Sequence, residues 1–78
     1  RREACEEGSR RLGVRALREA TLEQVEGLSD ELLRRRCRHV VSENLRVERA
    51  AKALEAGNFS EFGRLMIESH RSLRDDYE

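Results

Sequence analysis

The sequence predicts an all-α fold: three helices plus a short one, with the longest at the centre. Three observations carry this. Apolar residues recur at steps of three and four along the chain, and no period-two alternation marks a strand. Side chains able to cap a helix stand before the later apolar runs. The 78 residues contain no proline, and isolated glycines close the runs.

The first helix is expected over residues 1–12. Cys5, Ser9 and Leu12 fall on one face, and Gly13 supplies the stop. Residues 14–19 form a connector that tucks in Val14 and Leu17. Thr21 and Gln24 then have the spacing of a capping box, in which hydroxyl and amide each satisfy the other residue's backbone N–H. A short helix from Leu22 to about Glu26 follows, stopped by Gly27. Ser29 is the expected cap of the main helix, residues 30–56, which no glycine or proline interrupts. Leu33, Cys37, Val40, Asn44, Val47, Ala51 and Leu54 alternate steps of four and three, a seam over three heptads. Asp30 and Glu31 suit the positive end of the helix dipole, and Gly57 is its C-terminal stop. Asn58 caps the last helix, with Glu61 at the third position. Its expected buried stripe is Phe59, Phe62, Leu65, Met66, Ser69 and Leu73. That helix is expected to end near Arg74, leaving Asp75, Asp76, Tyr77 and Glu78 as a tail without a closing element.

The composition narrows the function. Charged residues make up 41% and apolar residues 37%, with sixteen basic side chains balanced by sixteen acidic ones. That balance gives no overall field to attract nucleic acid or an anionic membrane. No apolar run approaches a membrane span. Cys5 and Cys37 are too few for a secreted disulfide framework and read as reduced, cytosolic thiols. The chain starts at Arg1 and its only methionine is Met66, so it reads as an internal piece of a longer protein. A helix of about 27 residues is about 40 Å long, more than a compact domain of this size would contain. The missing cover is expected from elements outside residues 1–78, and the cut-out chain is expected to self-associate through the long helix.

Several constellations are candidates for chemistry. Cys37 and His39 point about 200° apart on a helix and cannot share a metal. Arg34, Arg35, Arg36 and Arg38 form a basic run, but consecutive residues cover every helix face and Glu31, Glu43 and Glu48 interleave, so a solvated, ion-paired helix is expected. Arg36, His39, Glu43 and Arg46 form a row flanking the apolar seam and are expected to tie the long helix to a neighbouring layer. Asn44 falls in the seam itself. Ser69 next to His70 is not a triad, because neighbours on a helix diverge by about 100°. No glycine-rich phosphate loop is present. No catalytic, cofactor-binding or metal-ligating residue is assigned.

Longer strings are more specific. Residues 1–26 and 34–78 together resemble the C-terminal half of galactokinases, with element order and spacing intact. The most distinctive pieces are Arg38-His39-Val40-Val41 with Glu43 and Arg46, then Phe62-Gly63-Arg64-Leu65-Met66, then the run from Ser69 through Tyr77. Within these, Arg36, His39, Glu43, Asn44, Arg46, Ser69, His70, Ser72 and Arg74 are candidate structural signature residues. Galactokinases belong with homoserine, mevalonate and phosphomevalonate kinases. The resemblance implies a two-lobed α/β parent that moves the ATP γ-phosphoryl to the anomeric hydroxyl of galactose with Mg²⁺. It implies that residues 1–78 form a helical segment of the C-terminal lobe, with no catalytic residue of its own. The sugar-recognition segment, the phosphate loop and the catalytic aspartate would lie upstream, and a late glycine-rich segment downstream. N-acetylgalactosamine kinases and catalytically silent galactose sensors share this region. Leu73 and Asp76 favour galactokinase over both. A stand-alone helical interaction module is the alternative from another class.

Overall fold

The computed structural model describes residues 2–77, so the expectations placed on Arg1 and Glu78 lie outside the described residues. The chain is all-α, and no strand occurs among the described residues. Helix α1 spans Arg2–Leu12, a 3₁₀ turn spans Leu17–Glu19, and α2 spans Leu22–Glu26. The long helix α3 spans Glu31–Glu55, α4 spans Phe59–Ser72, and a π-helical turn, Leu73–Tyr77, closes the described chain.

The boundaries follow from local chemistry. Gly13 and Gly57 both take positive φ, at 73° and 71°. At each, the helix end is sealed by a pair of reverse hydrogen bonds. Gly13 N–H donates to Arg10 and Val14 to Ser9, while Gly57 donates to Leu54 and Asn58 to Ala53. This is the Schellman arrangement, which needs a left-handed residue and so favours glycine. The Thr21 capping box forms in full, with Thr21 Oγ1 accepting from Gln24 N–H and Gln24 Oε1 accepting from Thr21 N–H. Asn58 caps α4 through Glu61 N–H. The expected cap at Ser29 is corrected: Asp30 caps α3, its carboxylate accepting from Leu33 N–H at 3.1 Å. Asp30 has extended dihedrals, so the helix begins one residue later and the carboxylate also meets the helix dipole.

α3 sets the shape. At 25 residues it is about 37 Å long, and the molecule measures 39 × 24 × 20 Å. It lies between two layers. On one side, Leu33, Cys37 and Val41 form a core with Leu17, Val25 and Leu28, and Ala4, Cys5 and Leu12 of α1 pack against it. On another, Ala50 and Ala53 are buried beside α4, whose Leu65 is fully enclosed.

This arrangement overturns the single heptad seam. Leu33 and Cys37 are buried as expected, but Val47 is 61% and Leu54 48% exposed, and Asn44 and Ala51 face solvent. The cause is geometric. At about 100° per residue, Leu33, Cys37 and Val41 span about 80° of the helix surface. His39, Ala50 and Ala53 sit about 200–260° round from Leu33. Val47 and Leu54, about 300–320° round, point into the gap between the two faces. The stripe on α4 is also narrower than expected: Leu65 is buried, but Phe59 and Met66 are exposed and Phe62, Ser69 and Leu73 are only half-buried.

Gly8 decides how closely α1 approaches α3. A Cβ there would come nearer than 3.0 Å to Cys37 Sγ and within 3.5 Å of Leu17 Cδ2. The missing side chain makes room for the Cys37 sulfur, which lies 3.9 Å from the Ala4 carbonyl.

Candidate functional site

The polar residues singled out by the sequence gather along one seam, where α3 meets α4 and the π turn. His39 is buried. Its Nδ1 lies 2.8 Å from Ser72 Oγ, and its ring meets Tyr77 edge-on, centroids 5.3 Å apart. One turn further along, the Glu43 carboxylate accepts from Ser69 Oγ of α4 and from Arg46 Nε at 2.8 Å. Arg46 Nη2 also donates to Ser42 Oγ at 2.9 Å. Burial pushes the Glu43 carboxyl up, but hydrogen bonds from Ser69 and Arg46 and the nearby Arg46 and His39 charges outweigh it, leaving the pKa below the ordinary glutamate value.

The N-terminal half of α3 holds the π turn with arginines. Arg35 Nη2 donates to the Asp75 carbonyl at 2.6 Å. Arg38 bridges Glu26 of α2, at 2.7 Å, and Asp76 of the π turn, at 3.0 Å. The guanidinium of Arg36 lies 5.8 Å from the Tyr77 ring centroid, and its Nε is buried with no hydrogen-bond partner among the described residues. Stacking on the ring offsets part of that desolvation cost. The expected tail is thereby corrected. Residues 75–77 do not run off the end, because the helix widens by one residue per turn and swings Asp76 and Tyr77 back onto α3.

Of the candidate residues, the fold brings together Arg36, His39, Glu43, Arg46, Ser69 and Ser72. Asn44, His70 and Arg74 stand apart and exposed, with Arg74 paired only to its neighbour Asp75 at 2.8 Å. Arg35, Arg38 and Tyr77 were not singled out as partners across this seam. The available signal was the spacing of Arg35, Arg38 and Ser42 along one helix edge, which runs beside the His39 and Glu43 row. The basic run is not the solvated, ion-paired stretch expected: its ion pairs are those of Arg38, whereas Arg34 and Arg35 donate to the Leu28 and Asp75 carbonyls and Arg36 lies on the Tyr77 ring.

Chemically, the seam is a latch. Ser69 and Ser72 each face a possible base, Glu43 and His39. Both hydroxyls, however, lie inside a helix–helix contact. The neighbouring backbone N–H groups are taken up by the helices, so no donor pair is left to receive an oxyanion. Among the described residues, no three His, Cys, Asp or Glu side chains gather as a metal-ligand set, and no helix is long and apolar enough to cross a membrane.

No protein-family model matches the chain. Curated relatives do. It is 54% identical to the galactokinase of Homo sapiens over 81 aligned positions and 54% identical to that of Bos taurus over 82. It is 51% identical to the galactokinase of the bacterium Roseiflexus over 86. Each alignment takes in the whole chain but only 21–22% of the relative, so the chain spans about a fifth of the galactokinases it matches. The alignments are longer than the chain, so each relative carries a few residues that this chain lacks. Identity above one half from end to end, in a bacterial as well as two mammalian enzymes, makes these 78 residues homologous throughout to a segment of galactokinase.

Proposed function

We propose that the chain is the helical layer of the C-terminal lobe of an ATP-dependent galactokinase, and that it contributes shape rather than chemistry. The observation that carries this reading is the 51–54% identity to galactokinases over the whole chain. Its polar seam supports the second half of the reading, since every candidate nucleophile in it is engaged between helices. In this reading galactose, ATP and Mg²⁺ bind elsewhere in a cytoplasmic parent enzyme. The latch residues Arg36, His39, Glu43, Arg46, Ser69 and Ser72 fix the angle between α3 and α4, and hence the surface the lobe offers to its sheet. Phosphoryl transfer needs a metal, phosphate clamps and a positioned base; this segment supplies the support behind them.

Part of the surface left open is apolar, in a groove edged by Glu43, Arg46 and Ser69. Val47 and Met66 line that groove with Ala50 and Leu65, and Leu54, Phe59 and Ile67 are exposed nearby in sequence. In the parent this surface would seat on the rest of the lobe. In the isolated chain it is the face through which copies would self-associate. Val41 takes no part in that face, because it is buried in the other layer.

Two measurements test the reading. The purified chain with ATP, Mg²⁺ and galactose should consume no ATP above blank; galactose-dependent turnover would overturn it. A human galactokinase carrying these residues in place of its own segment should melt cooperatively and phosphorylate galactose. A chimera that folds but has lost activity would show that the segment does more than shape the lobe.

A further inference from the structure

Nothing within the chain requires Gly63 of α4. It sits in the helix interior, where glycine is a weaker helix former than alanine. Its φ is not positive, and a Cβ there would meet nothing within 4 Å. The surface around it is apolar and open. Phe59 stands one turn before it, 70% exposed, and Ile67 one turn after it, 54% exposed. At about 100° per residue, Phe59, Gly63, Ile67 and His70 share one stripe about 80° wide. That stripe lies about 120–160° round the helix from Leu65, which is buried against α3. It therefore faces away from α3 and forms a notch between two bulky side chains. Beyond Ile67 it opens into a basin of about 450 Å³, lined by Ile67, His70, Arg71, Leu73 and Arg74.

We propose that this stripe is the contact face of a two-fold homodimer, in which two copies of α4 cross antiparallel at Gly63 and each Phe59 enters the other copy's basin. The surface is complementary to itself. Phe59 and Ile67 lie four positions either side of Gly63, so a two-fold axis there sets each Phe59 over the other copy's Ile67. The facing glycines let the two backbones approach closely. The arginines at the basin's rim offer cations for the phenyl ring to lie against. An antiparallel crossing sets opposed helix dipoles side by side. The chain's zero net charge leaves no long-range repulsion between copies. Stripe and basin together bury about 1,000 Å² over both copies, the low end of specific interfaces, so the dimer is weak and depends on the residues nearest the axis. The proposal narrows the self-association described above to α4, and it does not rest on the galactokinase reading.

Sedimentation equilibrium of the 78-residue chain, over an about hundredfold range of concentration, should show monomer and dimer and no larger species. Phe59→Ala should raise the dissociation constant at least about tenfold. Gly63→Leu separates a notch from a non-specific apolar surface. It introduces a better helix former into open space, so the urea midpoint of the variant should not fall. It also adds apolar area, which would tighten non-specific association, whereas filling the notch weakens the dimer at least about tenfold. Val47→Ser, in the groove between α3 and α4, should change the dissociation constant less than about threefold. A monomer at every concentration overturns the dimer together with self-association of any kind. A dimer that Val47→Ser disrupts while Phe59→Ala and Gly63→Leu leave it intact overturns the α4 crossing alone, as does tighter association of Gly63→Leu.

Discussion

Gly8→Ala tests the closest approach in the molecule. In an exposed helix this change stabilises by about 1 kcal/mol, because alanine is the better helix former. Here the added methyl would sit nearer than 3.0 Å to Cys37 Sγ, against an ordinary contact of 3.4–4 Å. Cys37 is fully enclosed, so its sulfur has no empty space to turn into. Overpacking by one methyl in such a setting costs about 1–3 kcal/mol, so Gly8→Ala should destabilise by about 1–2 kcal/mol net. Cys37→Ala removes the sulfur and leaves a small void, at a cost of about 1 kcal/mol. Placed on that background, the methyl added at position 8 fills the void, and Gly8→Ala should become neutral or stabilising by about 1 kcal/mol. The double-mutant cycle should therefore show a favourable coupling of about 2 kcal/mol. Urea unfolding followed by circular dichroism on the four chains measures it. If Gly8→Ala stabilises both backgrounds equally, the glycine is not a spacer and the α1–α3 packing described here is wrong.

Leu65→Ala should cost about 2–4 kcal/mol, because Leu65 is fully buried between α3 and α4. Leu54→Ala should cost under about 1 kcal/mol in this chain, since the side chain is half exposed; the same urea titration ranks the two. The Glu43 carboxyl has a folded pKa below the unfolded one. Its contribution is thus present above the unfolded value near 4.5 and is lost as pH falls through the folded value. Glu43→Gln should lose less melting temperature than wild type between about pH 6 and pH 3, and a parallel profile would remove Glu43 from the latch. Arg38→Met cuts the bridge to Glu26 and Asp76, so amide exchange in residues 73–77 should accelerate about tenfold while α1 is unaffected.

The helix ends were legible because capping is local. Thr21 with Gln24, Asn58 with Glu61, and the glycines at 13 and 57 each act within one turn. The miss at Ser29 is a near tie: serine and aspartate are equally good caps, and only the extended dihedrals of Asp30 decide between neighbours. Gly8 was not legible as a spacer. A glycine inside an amphipathic run looks like a mild helix defect until the residue opposite it is known, and Cys37 lies 29 positions away.

The same limit explains the polar seam. A heptad count treats a helix as having one buried face, and it averages residues that serve different neighbours. α3 has two. Its first half turns Leu33, Cys37 and Val41 toward α1 and α2, and its second half turns Ala50 and Ala53 toward α4. Residues between these directions look central in the average, yet Val47 and Leu54 are left outside. The row flanking that average was readable as a tie to a neighbouring layer but not to which one, and His39 and Glu43 reach Ser72 and Ser69 of α4. Their spacing at i and i+4 matched that of Ser69 and Ser72 closely enough to pair one with each. What the sequence could not supply was the π turn. Widening the helix by one residue is what turns Tyr77 toward the His39 ring and Asp76 toward Arg38. An ideal α-helix through residue 77 would aim both side chains about 100° away. The latch therefore depends on a backbone irregularity. Substitutions that regularise the turn should open the seam even where every latch side chain is kept.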